Sequence, residues 1–203
     1  MAIRKILTDG DETLRKKSRV VTEFNERLHE LLDDMRETLI DVEGLGLAAP
    51  QVGVLRRVAL ILDTSSEAET VEEKMIELVN PEIVKAVGED EQSEACLSVP
   101  GMVGIVTRPE TVTVRAFDRF GKEFSITVSE ITARAACHEI DHLEGIIYTS
   151  IADPLFTDEE FAEYLAEEEE EFAELLAQLG VTEEEFEEIV AQEDDDLAED
   201  EEE

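Results

Sequence analysis

The chain has 203 residues, with 17 Lys and Arg against 54 Asp and Glu, a net charge of −37. That balance excludes nucleic acid as a direct partner, because phosphate binding needs clustered bases. No apolar run approaches the roughly 18–20 residues of a membrane span, and two cysteines without an export signal read as reduced thiols in the cytoplasm.

In chain order, Ile3 to Val21 reads as irregular. Asn25 predicts the cap of a helix running to about Glu43, with Leu28, Leu31, Leu32, Met35, Leu39 and Val42 on one face. His29 lies off that face and reads as solvated. Gly44 to Gly53 (Gly-Leu-Gly-Leu-Ala-Ala-Pro-Gln-Val-Gly) leaves two readings open. One is a helix C-cap at Gly44 followed by a small-residue connection. The other is a backbone that approaches a ligand closely at Gly46, Ala48 and Ala49, with Gln51 as hydrogen-bond donor.

Strands are predicted at 57–62, at 75–79 (ended by Asn80-Pro81), at 83–87, and as a hairpin of 111–117 with 122–128. Glu94 to Gly101 reads as a turn-rich segment between strands. Ile131 to Cys137 leads into a helix carrying His138 and His142, which Gly145 stops. The fold class is therefore α+β: mostly antiparallel strands packed around a central metal-binding helix, with an N-terminal helix and an acidic helical C-terminal extension. Residues 153–203 hold 25 acids and no base, while residues 1–152 hold 29 acids and 17 bases. That shift predicts a body of 1–152 and an extension of 153–203. In the extension, Thr157 to Glu160 predicts a capped helix ended by Gly180. A second short helix is expected from Thr182, carrying Phe186, Ile189 and Val190, and disorder from Asp194 onward.

His138-Glu139-Ile140-Asp141-His142 carries the chemistry. Imidazoles at i and i+4 share a helix face and can hold one metal ion, with Glu139 in reach of its water. A third ligand is needed. Cys137 is rotated about 100° from His138 and about 140° from His142, so it reads as helix packing. Cys96, beside turn-forming residues, is the better candidate.

Three segments together resemble the peptide deformylases. They are Gly44-Leu45-Gly46-Leu47-Ala48-Ala49-Pro50-Gln51, then Glu94-Ala95-Cys96-Leu97-Ser98, and His138-Glu139-Ile140-Asp141-His142. The second departs from the family's pattern, since Ala95 stands where Gly is usual; a positive φ there would make the methyl costly. Cys137 stands where many members have Gln.

The resemblance implies an enzyme that removes the N-terminal formyl group from formyl-methionine of newly synthesised proteins. It assigns Cys96, His138 and His142 as ligands of one divalent metal, Fe²⁺ in the cell, for which Zn²⁺, Ni²⁺ or Co²⁺ can substitute. Glu139 moves the proton, while Gln51 and the backbone N–H of Leu97 meet the oxyanion. Leu45, Gly46, Ala95, Leu97 and Ala135 are expected around the substrate. Asp141 either orients a histidine or is an exposed charge, and Glu94 has no assigned role. Expected partners are formyl-methionyl peptides and nascent chains, and the ribosome through protein surfaces, with no nucleic acid and no membrane. Two other readings stand beside this one: a zinc peptidase with Glu163 as third ligand, and an acidic binding protein with a degenerate site.

Overall fold

The computed structural model describes residues 2–183, 185 and 186. Its residues form two compact units, Met1–Phe156 and Thr157–Glu203. The elements of the first are helix α1 (Glu26–Asp41), strand β1 (Gly46–Ala48), strand β2 (Val58–Leu62), one helical turn α2 (Val71–Lys74), strands β3 (Met75–Val87), β4 (Asp90–Cys96), β5 (Val99–Arg108), β6 (Thr111–Phe117) and β7 (Glu123–Ser129), and helix α3 (Glu130–Glu144). A short strand β8 (Leu155–Thr157) closes the series, and helix α4 (Asp158–Leu179) lies in the second unit. Among the described residues, no helix is long and apolar enough to cross a membrane.

Five strands form one sheet in the order β1-β2-β3-β6-β7, with every pair antiparallel. Its side chains alternate between two cores, as the period of a strand requires. Leu47, Val58, Leu60 and Val79 face α1, where Leu32, Met35 and Leu39 are fully buried. Ala48, Ala59, Ile61, Leu78, Val112 and Val114 instead pack with Ala133, Ala136, Cys137, Ile140 and Leu143 of α3. Each large side chain so buried contributes about 1.5–3 kcal/mol. A second sheet, β4-β5-β8, encloses a smaller core of Leu14, Cys96, Val99, Val106, Ile147 and Tyr148. Helix α3 is therefore buried on several sides, and its polar residues need partners.

Several local expectations change. Helix α1 ends at Asp41, and Glu43, not Gly44, adopts the left-handed conformation with φ 52°. The reason is that the N–H groups of Val42, Glu43 and Gly44 already reach back to the carbonyls of Thr38, Ile40 and Leu39. Val42 lies beyond the last turn and is half-buried. His29 is not solvated: one ring nitrogen lies 2.9 Å from the Arg119 carbonyl, and the ring packs edge-on against Phe120. The strands expected at 75–79 and 83–87 are one strand, β3, with its register shifted around Asn80-Pro81. The segment around Cys96 is not a loop but the end of a β4–β5 hairpin with an irregularity at Ala95/Cys96.

Gly145 ends α3 as expected, with φ 78° and its N–H on the His142 carbonyl. In the second unit, Thr157 and Glu160 form the capping box of α4, and Gly180 ends it at φ 71°. Thr182 begins another capped turn, accepting from the N–H groups of Glu185 and Phe186. Ile189, Val190 and the stretch from Asp194 lie outside the described residues.

Asn80 explains why β3 survives its proline. At φ 51° it takes a conformation that Asn tolerates better than most residues. Its side chain accepts from the Val21 N–H at 2.8 Å and donates to the Val21 carbonyl at 2.9 Å, pinning the irregular N-terminal segment to the sheet. Asn80→Ala loses both bonds and the local tolerance. It should lower stability by about 2 kcal/mol, read as a shift in the urea unfolding midpoint.

Candidate metal centre and active site

The site forms where the hairpin end of β4, the β1 segment and α3 converge. Ligand atoms of Cys96, His138 and His142 all lie within 4.8 Å of one another. Cys96 Sγ is 3.2 Å from His142 Nε2. His138 and His142 stand one helical turn apart with their rings edge to face. One thiol and two imidazoles suit a divalent transition metal, with room for a fourth ligand. The ring positions fit such an ion. His138 Nδ1 is 2.9 Å from Glu94 Oε2, which leaves its Nε2 for a metal. Burial holds His142 down to about 3, as a neutral imidazole. Burial also disfavours the charged form of His138, but its bonds to Cys96 and Glu94 prevail and lift it to about 10.

Around Cys96 the sulfur receives the Ser98 N–H at 3.4 Å and the Gln51 amide at 3.6 Å. Gln51 is fixed at its other end, where Oε1 accepts from the Ala48 N–H at 2.8 Å. Its amino group therefore points at the site, and it also lies 3.2 Å from Ser98 Oγ. Glu139 is buried, with no hydrogen-bond partner for Oε2. Burial pushes its carboxyl up to about 7, with His138 opposing. Gly46 abuts it: a Cβ at that position would come within 2.5 Å of Glu139 Oε1. The glycine thus admits the carboxylate, where a bare sequence reading had weighed close approach to a ligand.

A cavity of about 500 Å³ opens over these residues. Leu45, Gly46, Gln51, Ala95, Cys96, Leu97, Ala135, His138 and Glu139 line it, and Ile131 and Pro100 extend its apolar wall. Of the sequence-derived site residues only His142 lies off the wall, buried behind Cys96 and His138. Ala95 sits in extended β4, paired with Val103, so no positive φ is required of it. Cys137 faces the sheet-side core, where burial raises its thiol to about 11.

A model of the polypeptide deformylase family matches residues 3–157. The chain belongs to the peptide deformylase family. It is 51% identical over 160 residues to the peptide deformylase of Caldicellulosiruptor bescii, an alignment covering 79% of this chain and 92% of that one. Against peptide deformylase 1 of Bacillus subtilis it is 42% identical over 163 residues, covering 80% and 98%. The crystal structure of a Legionella pneumophila peptide deformylase superposes with a TM-score of 0.69 at 43% identity, covering 87% of this chain and 98% of that one. The Thermotoga maritima enzyme gives 0.69 at 29%, covering 76% and 100%. The chain is thus a metal-dependent hydrolase that removes the formyl group from the N-terminus of newly synthesised proteins, a family reaction using a single divalent metal. The zinc-peptidase and degenerate-binder readings fall away.

Sequence reasoning missed what holds His138. The Asp141 carboxylate is engaged by an arginine: its Oδ2 accepts from Arg108 Nη1 at 2.6 Å. Glu94 orients the ring instead. Its carboxylate also accepts from Arg108 Nε at 2.8 Å and Nη2 at 3.0 Å, and from Arg134 Nη1 at 3.0 Å. Burial would raise the Glu94 carboxyl, but bonds from His138 and Arg108 outweigh it and hold the group at about 2 rather than 4.5. The sequence signals for this were Glu94 at the head of its motif and Arg134 one turn before His138. Because the folded-state value is depressed, Glu94 contributes stability above pH 4.5 that is lost as pH falls towards 2. Glu94→Gln should cost about 3 kcal/mol at neutral pH, since it leaves buried guanidinium groups short of a partner. It should also flatten the decline between pH 4.5 and 2. Urea titrations at stepped pH check both.

Proposed function

We propose that Cys96, His138 and His142 hold the metal, that Glu139 moves the proton, and that Gln51 and the Leu97 N–H meet the oxyanion. The observation that carries this reading is the convergence of one thiol, two imidazoles and a buried carboxyl raised to about 7 at the floor of one cavity. A bound divalent ion supplies Lewis acidity towards water and carbonyl oxygen. Glu139 takes a proton from the attacking water and returns it to the leaving amine, work suited to a group titrating near neutrality. The Gln51 amino group, fixed through Ala48, is placed to donate to the developing oxyanion. Burial around Glu139 removes competing water.

Substrate recognition follows from the walls. Strand β4 pairs with β5 alone and is an edge of its sheet. Its free edge at Ser93–Cys96 lies along the cavity, so an extended formyl-peptide can pair there. Leu45, Gly46, Leu97 and Ala135 surround the methionine side chain. Ala95 is exposed while Glu94 and Cys96 are buried, and its methyl forms part of the cavity wall beside that edge. The ion is Fe²⁺ in the cell, a choice consistent with mixed sulfur and nitrogen donors, and Zn²⁺, Ni²⁺ or Co²⁺ can replace it. We place the enzyme in the cytoplasm, acting on formyl-methionyl nascent chains, with residues 1–152 as catalytic domain and 153–203 as an acidic extension.

The Glu139→Gln variant should keep its metal and lose at least ~10²-fold in turnover of a formyl-methionyl peptide. Cys96→Ser should lose metal affinity or change metal preference, whereas Cys137→Ser should do neither. Metal analysis beside the hydrolysis assay reads all three. Near-normal turnover in fully loaded Glu139→Gln, or interchange of the two cysteine phenotypes, would sink the assignment.

The extension bears on partners. Its 25 acids and lack of bases oppose contact with ribosomal RNA. Any ribosome association should therefore use a basic protein surface, with Phe161, Leu165, Phe172 and Leu176 of α4 as apolar anchors, of which Leu165 and Phe172 are exposed. A chain ending at Gly180 should hydrolyse a short formyl-peptide within about threefold of full length, below ~0.7 kcal/mol. Ribosome co-sedimentation of the full chain should weaken steeply with salt. A large loss of peptide hydrolysis, or salt-insensitive binding, would contradict this reading.

A further inference from the structure

We propose that Arg134 is a positioning residue for the metal centre, fixing the strand pair that delivers Cys96 against the helix that delivers both histidines. The inference rests on the ligand assignment above. Arg134 sits on α3 one turn before His138, and its side chain is 4% exposed. From there Nη1 donates to the Val106 carbonyl on β5 at 2.8 Å and to Glu94 Oε1 at 3.0 Å, with a longer contact to the Gln92 carbonyl at 3.4 Å. Nη2 donates to the Asp90 carbonyl at 2.7 Å and to Asp90 Oδ2 at 3.2 Å. One guanidinium therefore grips backbone on both strands of the hairpin, as well as the carboxylate that orients His138.

The second arginine of the network cannot replace it. Arg108 belongs to β5, on the same hairpin as Glu94, and its ion pair with α3 runs through Asp141. Arg134 alone of the two starts on the ligand-bearing helix and ends on backbone carbonyls of the ligand-bearing hairpin. It shares Glu94 Oε1 with Arg108 Nε, so that Oε2 faces His138 Nδ1. The planar fork matters as much as the charge: a lysine is a point donor and cannot span two strands and a carboxylate at once.

The test uses the full-length enzyme loaded with Co²⁺. Its thiolate-to-cobalt absorption reports the Cys96 bond, and loss of that band on adding EDTA gives the rate of metal release. Arg134→Met and Arg134→Lys should each release cobalt at least tenfold faster than wild type, the effect expected when a group supporting a ligand is removed. Arg119→Met removes a partly buried arginine paired with Glu77 and Asp33, all outside the site. It should lower stability without changing cobalt release. Should Arg134→Met not fold, Arg134→Lys decides.

Wild-type release from a folded Arg134→Lys overturns the proposal. Equally fast release from Arg119→Met also does, because general destabilisation would then explain the effect. Arg134 lines the cavity too, so a raised KM with unchanged cobalt release would make it a substrate contact instead. Absence of the thiolate band in wild type would overturn the ligand assignment, and this proposal with it.

Discussion

A buried carboxylate whose hydrogen bonds come from a histidine and two arginines governs the catalytic unit. Glu94 meets His138, Arg108 and Arg134 at once, while Arg108 in turn meets Asp141. Removing such groups from water is expensive, and only complete mutual pairing offsets the cost. The network ties the β4–β5 hairpin to α3 in one register. The same register brings Cys96 to the two histidines. Metal-site geometry and the packing of two sheets about one helix are thus a single constraint.

Much of this was legible in the sequence where interactions are local. The cap at Asn25, the apolar face of α1, the stop at Gly145 and the β6–β7 hairpin depend on residues close in the chain. The His-Glu-x-x-His spacing likewise needs only the pitch of a helix. What stayed hidden depends on distant partners. Asn80-Pro81 signals a strand end, but bonds to Val21, 59 residues away, and to Arg57 hold β3 through it. Pro100 and Gly101 read as turn residues yet lie within β5, and only Leu97 and Ser98 separate it from β4. Glu94 stood out as the head of its motif, but its role stayed hidden because its histidine lies 44 residues on. His29 looked solvated because the carbonyl it meets is 90 residues away.

Charge is partitioned as sharply as structure. The catalytic unit spends several of its arginines on internal acids, at Asp34, Glu77, Glu94, Asp90 and Glu144. The acidic excess outside those pairs is left to water. Helix α4 carries acids along its length and none of the compensating bases that a helix C-terminus favours. None of its described residues is buried; its capping box and glycine stop supply local order, beside ring contacts of Phe161 with Tyr164 and Phe172 with Phe186.

The contact between Gly46 and Glu139 divides the cavity into a wall that is fixed and a wall that is free to drift. Any side chain at Gly46 would occupy the space of the carboxylate, and Gln51, Glu94 and His138 are each held by partners on both sides. Leu45 and Ile131 are exposed at 43% and 38% and make no such commitments. On the proposed reading of the site, changes of size at these two positions would reshape the apolar wall while leaving Glu139 and the Cys96, His138 and His142 cluster in place. The width of the cavity and the geometry of its floor are then separable properties of the fold.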